Sequence, residues 1–148
     1  IGVMDFPATG DRWTGCHGRP TRHNGEICTT RSCDSLADAM MSSSSPDFYS
    51  DTERPVLDAL RGRTRWRIYG GASMSYGLLA AGRTDLACDT GFKVYDFSSF
   101  RPIIEGAGGV ITDWAGQPLT TESGPQVLAA GSPARHAEAL AVIRQCRR

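Results

Sequence analysis

The sequence predicts a layered α/β fold of the α+β kind, in which an antiparallel hairpin sheet precedes a mixed sheet flanked by helices. Three observations carry that prediction. Up to Cys33, short apolar stretches are cut by Thr9-Gly10-Asp11, His17-Gly18-Arg19-Pro20 and Asn24-Gly25, the punctuation of hairpins. After Cys33, strand-like and helix-like segments alternate, which argues for helices packed on a mostly parallel or mixed sheet. The change falls near Arg31 to Asp34, so residues 1–33 and 34–148 are expected to be separate units.

In chain order, strands are expected at 2–6, 12–16 and 26–29, each a short run with apolar or β-branched residues bounded by turn residues. A strand at 36–44, a helix at 51–60 and a strand at 65–69 follow. A helix at 73–81, a strand at 85–88, a helix at 96–106 and strands at 110–113 and 127–130 complete the alternation. The last helix begins at Pro133, with Ser132 as N-cap, and runs to about Gln145, with Leu140, Val142 and Ile143 giving its apolar side. The run Ser42-Ser43-Ser44-Ser45 is either a polar loop or the exposed end of a strand, with the loop preferred.

Composition narrows the function. The chain has 148 residues, enough to bury a core, with 40% hydrophobic and 22% charged residues. Sixteen basic and sixteen acidic side chains cancel, so no overall basic field draws a nucleic acid or an anionic membrane. No apolar run approaches the roughly 20 residues that span a bilayer. Five scattered cysteines with no C-x-x-C pair read as free thiols of a reducing cytosol, so a cytoplasmic protein is expected. The chain opens on Ile1-Gly2-Val3-Met4, which reads as the middle of a strand, and a fragment of a longer protein is the expectation.

Chemistry is densest from Asp89 to Gly109. Asp96 opens the expected helix, where a carboxylate is either an N-cap favoured by the helix dipole or a hard oxygen ligand for magnesium. The glycines at 106–109 follow a helix, so they read as a C-cap and tight turn, not a phosphate cradle. Arg67-Ile68-Tyr69-Gly70-Gly71-Ala72-Ser73 reads as a strand delivering glycines into a helix start, where free N–H groups either meet a ligand or merely make a capped turn. Asp89 is a solvated strand-end carboxylate or an acceptor for a substrate hydroxyl or ammonium.

Tyr95-Asp96, then Glu105-Gly106-Ala107-Gly108-Gly109, then Val110-Ile111-Thr112-Asp113 resemble, in order and spacing, the C-terminal motif of the inositol monophosphatase superfamily. The opening stretch, with Pro7-Ala8-Thr9-Gly10-Asp11-Arg12-Trp13 and Gly18-Arg19-Pro20-Thr21, is most similar to the histidinol-phosphate phosphatases. The resemblance implies the C-terminal part of an αβαβα sandwich, with residues 1–33 as the last strands of an N-terminal antiparallel-sheet domain. It implies a Mg2+-dependent phosphomonoesterase acting on a small phosphate monoester, with histidinol phosphate first and an inositol or related sugar phosphate as the alternative. Asp96 becomes a metal ligand, and Gly70, Gly71, Ala72 and Asp89 become substrate-binding residues. Histidinol-phosphate phosphatases more usually have Asp where this chain has Ala72, and the inositol enzymes do not.

The family's other metal ligands, a Glu and an Asp-Pro-x-Asp-Gly-Thr segment, lie upstream and do not occur in these 148 residues. The fragment alone is therefore expected to be inactive, and a homodimer or association with the missing N-terminal segment is expected. The remaining alternative is a non-catalytic binding or assembly domain of the same fold. His17, His23 and His136 read as surface or turn residues and Cys88 as a buried thiol. Arg61, Arg63, Arg65 and Arg67 read as one face of a strand.

Overall fold

A computed structural model describes residues 1–147. Its first 27 residues form an antiparallel meander of four strands, β1 (Gly2–Phe6), β2 (Asp11–Cys16), β3 (Arg19–His23) and β4 (Glu26–Ile27), in that spatial order. β3 was not expected, because Arg19-Pro20 reads as a breaker. The β2–β3 register shifts between Thr14 and Cys16, opposite Pro20, so the missing proline N–H falls in the irregular stretch. β4 is shorter than the expected 26–29, because Thr30 leaves the meander to donate its N–H to Ala107 O and its hydroxyl to Gly131 O.

The second sheet comprises β5 (Met40–Ser43), β6 (Trp66–Tyr69), β7 (Leu86–Asp89), β8 (Val110–Thr112) and β9 (Val127–Ala130), in the order β6-β5-β7-β9-β8. β5 pairs in parallel with both β6 and β7, and β9 is antiparallel to β7 and β8. The sheet is therefore mixed, as expected. Helix α1 (Arg54–Arg63) carries the chain from β5 to β6 on one side, and α2 (Ser73–Ala80) carries it back across β5 to β7. The remaining helices are α3 (Val94–Phe97), α4 (Phe100–Gly106) and α5 (Pro133–Cys146).

Two apolar cores stack the layers. One packs Met41, Cys88 and Leu128 of the mixed sheet against Leu57 and Leu60 of α1 and Leu140 and Ile143 of α5. The other fills the opposite face of that sheet with Tyr76 and Leu79 of α2 and Phe100, Ile103 and Ile104 of α4, closed by Met4 and Trp13 of the meander. The order is helices, sheet, helices, sheet. Alternation along β7 places Ala87 and Cys88 in different cores, the period of two a doubly covered strand requires.

Several elements differ from expectation for identifiable reasons. Residues 36–44 split into a 3-10 turn at Leu36–Asp38 and the four-residue β5. Ser42 and Ser43 are buried in β5 rather than looped out, their hydroxyls paired with Leu86 O and the Asp89 carboxylate. α1 starts three residues late, because Ser50 to Glu53 makes a turn and Pro55 takes a first-turn position, where its missing N–H costs nothing. Arg61 and Arg63 consequently belong to α1 and only Arg67 to β6, its guanidinium folded back onto Arg61 O, so the expected arginine face does not exist. The expected helix 96–106 is two helices, because Pro102 has no N–H for the carbonyl four residues before it, at Ser98.

The ends match better. Ser132 Oγ accepts the Arg135 N–H as the N-cap of α5, and Gly108, at φ +93°, closes α4 with N–H bonds from Gly108 to Glu105 O and from Gly109 to Ile104 O.

Candidate functional site

A parallel sheet offers a ligand crevice beyond the carboxyl ends of its strands, at the point where successive connections leave in opposite directions. Here that point is the end of β5. The chain leaves β5 for β6 on one side and returns to β7 on the other. The residues just past these ends are Ser44, Gly70-Gly71-Ala72 and Asp89-Thr90. Topology thus brings two of the expected segments, Gly70-Gly71-Ala72 and Asp89, together with Ser44, without reference to any relative.

Hydrogen bonds tie them. Gly70 donates its N–H to Ser44 O at 2.8 Å, and Ser44 donates its N–H to Asp89 Oδ1 at 2.6 Å. Asp89 also accepts the Ser43 hydroxyl on Oδ1 and the Tyr76 hydroxyl on Oδ2. It is only 1% exposed, so the solvated strand-end alternative is excluded. Burial pushes its carboxyl up to about 6, a rise that the Ser44 N–H and the Tyr76 and Ser43 hydroxyls oppose. Such a group accepts hydrogen bonds at neutral pH and gains a proton in mildly acid solution.

The glycine turn is open where Asp89 is closed. Gly70 and Ala72 are exposed. Ala72 sits at φ +43° and ψ −130°, a region suited to glycine, and a side chain there costs about 1–3 kcal/mol. The strain turns the chain from β6 into α2 with an uncharged methyl at the crevice. Ser73 is the first residue of α2, and the helix has no side-chain N-cap.

Asp96 lies one loop further along, half-buried, and is not the N-cap of its helix. It is the third residue of the one-turn α3, and its Oδ2 accepts the Lys93 N–H at 2.7 Å. Oδ1 has no protein partner among the described residues, and no hydrogen bond joins Asp96 to Asp89 or to the glycine turn there. A single half-exposed carboxylate with one free oxygen fits one ligand of a hard cation, not a whole site. No cluster of three metal-binding side chains occurs among the described residues.

The bland readings of other candidates hold in part. Cys88 is fully buried, and burial pushes its thiol far up. His23 stacks on Trp13 and bonds Asp11. His136 is buried rather than on the surface, its Nε2 at 2.9 Å from Thr112 Oγ1, with burial lowering its pKa.

Sequence reasoning missed two residues tied to these strand ends. Ser44 is buried with no partner for its hydroxyl among the described residues, and nothing in a run of four serines distinguishes it. Glu53 joins the segment after β7 to that before β9. Its signal was present, since Ser50-x-x-Glu53 is a capping-box pattern.

A layered α/β chain with a strained, exposed turn and a buried carboxylate at the switch point of its mixed sheet has the form of a small-ligand-binding domain. The chain belongs to the inositol monophosphatase family, whose description matches residues 1–148. It is 38% identical over 147 residues to the chloroplastic bifunctional phosphatase IMPL2 of Arabidopsis thaliana, covering 95% of this chain and 42% of that protein. Against the inositol-1-monophosphatase ImpA of Mycolicibacterium smegmatis it is 27% identical, covering 97% of this chain and 54% of that protein. The structure of an inositol monophosphatase from Zymomonas mobilis superposes with a TM-score of 0.93 at 37% identity, over 96% of this chain and 56% of that one. The chain spans about half the length of these relatives. None of these names carries histidinol phosphate, and the inositol alternative fits them better than the first expectation does.

Proposed function

We propose that the protein containing this chain hydrolyses a small phosphate monoester of a neutral polyol, an inositol or related sugar phosphate, with Mg2+ as cofactor. The observation that carries the substrate class is Ala72. An exposed methyl at the strained crevice turn offers no charge to a cationic substrate such as histidinol phosphate, whereas backbone N–H groups at the start of α2 suit hydroxyls. Gly70 and Gly71 keep that turn free of bulk. Asp89, behind the turn, fixes Ser44 and Tyr76, and being buried it meets a substrate hydroxyl only where the residues that cover it give way.

Asp96 Oδ1 is the oxygen this chain would give to magnesium, the remaining ligands coming from outside residues 1–148. Bound magnesium supplies the charge that polarises the phosphate and lowers the pKa of an attacking water. The chain on its own therefore has no turnover. Exposed apolar residues on β6 support a homodimer or association with a further segment.

The test is phosphate release by the full-length protein from inositol 1-phosphate and from histidinol phosphate, with magnesium and with chelator. Release is expected to favour the inositol ester, to cease with chelator and to fall at least about a hundredfold in Asp96→Asn. Preference for histidinol phosphate would reverse the substrate reading. Undiminished release by Asp96→Asn would remove the metal role.

A further inference from the structure

Glu53 bonds the residue that follows Asp89 and links three segments distant in sequence. Its Oε1 accepts the Thr90 hydroxyl and the Gln126 side-chain N–H, each at 2.7 Å. Its Oε2 accepts the Ser50 hydroxyl at 2.7 Å and the Ser50 N–H at 3.1 Å. One carboxylate thus joins the lead-in to α1, the residue after Asp89 and the residue before β9. It makes no ion pair among the described residues, so four directional donors hold it and fix positions as well as charge.

The segment so held leads to Asp96. Thr90 is buried; two residues on, Phe92 donates its N–H to Pro125 O, and its ring packs on Tyr76 and Phe100. Lys93 then gives its N–H to Asp96. The path from the β7 end to the free carboxylate oxygen is therefore anchored at Thr90, Phe92 and Lys93, and the first anchor is Glu53. Burial pushes the Glu53 carboxyl up, but bonds from Gln126, Ser50 and Thr90 outweigh it and hold the pKa at about 2, so the clamp is ionised throughout the neutral range.

We infer that Glu53 is a positioning residue, whose bond to Thr90 sets the place at which the loop after β7 presents Asp96 to a divalent cation. The inference rests on the reading of Asp96 as a metal ligand. Glu53→Gln keeps the shape but has one acceptor oxygen, so it loses either the Ser50 bonds or the Thr90–Gln126 pair. Thr90→Val removes the hydroxyl from the other side, and Thr90→Ser retains it.

The experiment uses the full-length protein with two readouts. One is terbium ion alone, whose luminescence Tyr95, beside Asp96 and exposed, is placed to sensitise. The other is the magnesium concentration giving half-maximal phosphate release. Glu53→Gln and Thr90→Val are expected to raise both midpoints about tenfold, the scale for lost outer partners of metal ligands, while Thr90→Ser restores them. Unchanged midpoints in Thr90→Val overturn the inference, and this variant decides the matter if Glu53→Gln fails to fold. So does a Thr90→Ser protein as weak as Thr90→Val. Should the wild type bind terbium but release no phosphate, the proposed activity fails and the clamp is still judged by terbium. Should Asp96→Asn leave the terbium midpoint in place, the ligand reading falls and the clamp with it.

Discussion

Asp89 carries a buried charge that three internal donors only partly compensate, and this has a consequence for stability. Its carboxyl titrates near 6 in the fold against 3.8 when free. Below 3.8 it is protonated in both states and costs nothing. Between 3.8 and 6 the unfolded chain loses the proton while the folded chain keeps it, so stability falls as pH rises, by on the order of 3 kcal/mol in all at ~1.4 kcal/mol per pKa unit. Asp89→Asn is expected to abolish this fall. Urea midpoints of both proteins at pH 4 and pH 7 provide the measurement, and parallel slopes would refute the assignment. Glu53 acts in the opposite sense but lower, its contribution being lost as pH falls through the range from 4.5 to about 2, so the two windows barely overlap.

At the level of elements, β2 and α4 join two layers closely. A Cβ on Gly15 would lie 2.6 Å from Ile103 N and from the Pro102 carbonyl carbon and oxygen, all backbone atoms that no rotamer change can move away. Gly15→Ala is expected to cost about 1–3 kcal/mol or more, read as a lowered thermal midpoint. An unchanged midpoint would mean that the layers slide freely. That glycine carries no pattern in the sequence, since the partner that makes it necessary is some ninety residues away. The strand at 127–130 was legible, because an unbroken apolar run between turn residues has few other readings. β3 was not, because a local rule about proline was overridden by an irregular register with β2. The break in the expected helix 96–106 was not legible, because Pro102 acts on a carbonyl behind it, at Ser98. At the site, the strand ends at Gly70 and Asp89 and a helix carrying Asp96 were legible. Neither the burial of Asp89 nor the clamp at Glu53 was, since both depend on which strands become neighbours.

For the molecule as a whole, the flanks of the sheets matter most. β6 lies at one edge of the mixed sheet, with Trp66 59% and Ile68 40% exposed two residues apart, hence on one face. An open edge with apolar residues invites pairing. The 148-residue chain is expected to self-associate in sedimentation equilibrium, and Trp66→Lys to shift it toward monomer. A monomeric wild type would count against the assembly proposal. The meander packs on the rest through Met4 and Trp13, and the segment that follows it is tied down where Arg31 Nη2 meets the buried Asp85 at 2.6 Å. The placement of β9 between β7 and β8 bears on how the chain is made. A strand that ends at Asp89 must wait through residues 90–126 for the neighbour at Val127–Ala130 that covers its inner edge. During synthesis on the ribosome, β7 therefore emerges with one row of backbone groups unpaired, while the meander ahead of it already has all its partners nearby in sequence. Closing so distant a pair carries the larger entropic cost. This half of the fold is thus the one exposed to chaperones and to wrong pairing in the interval before its last strand arrives.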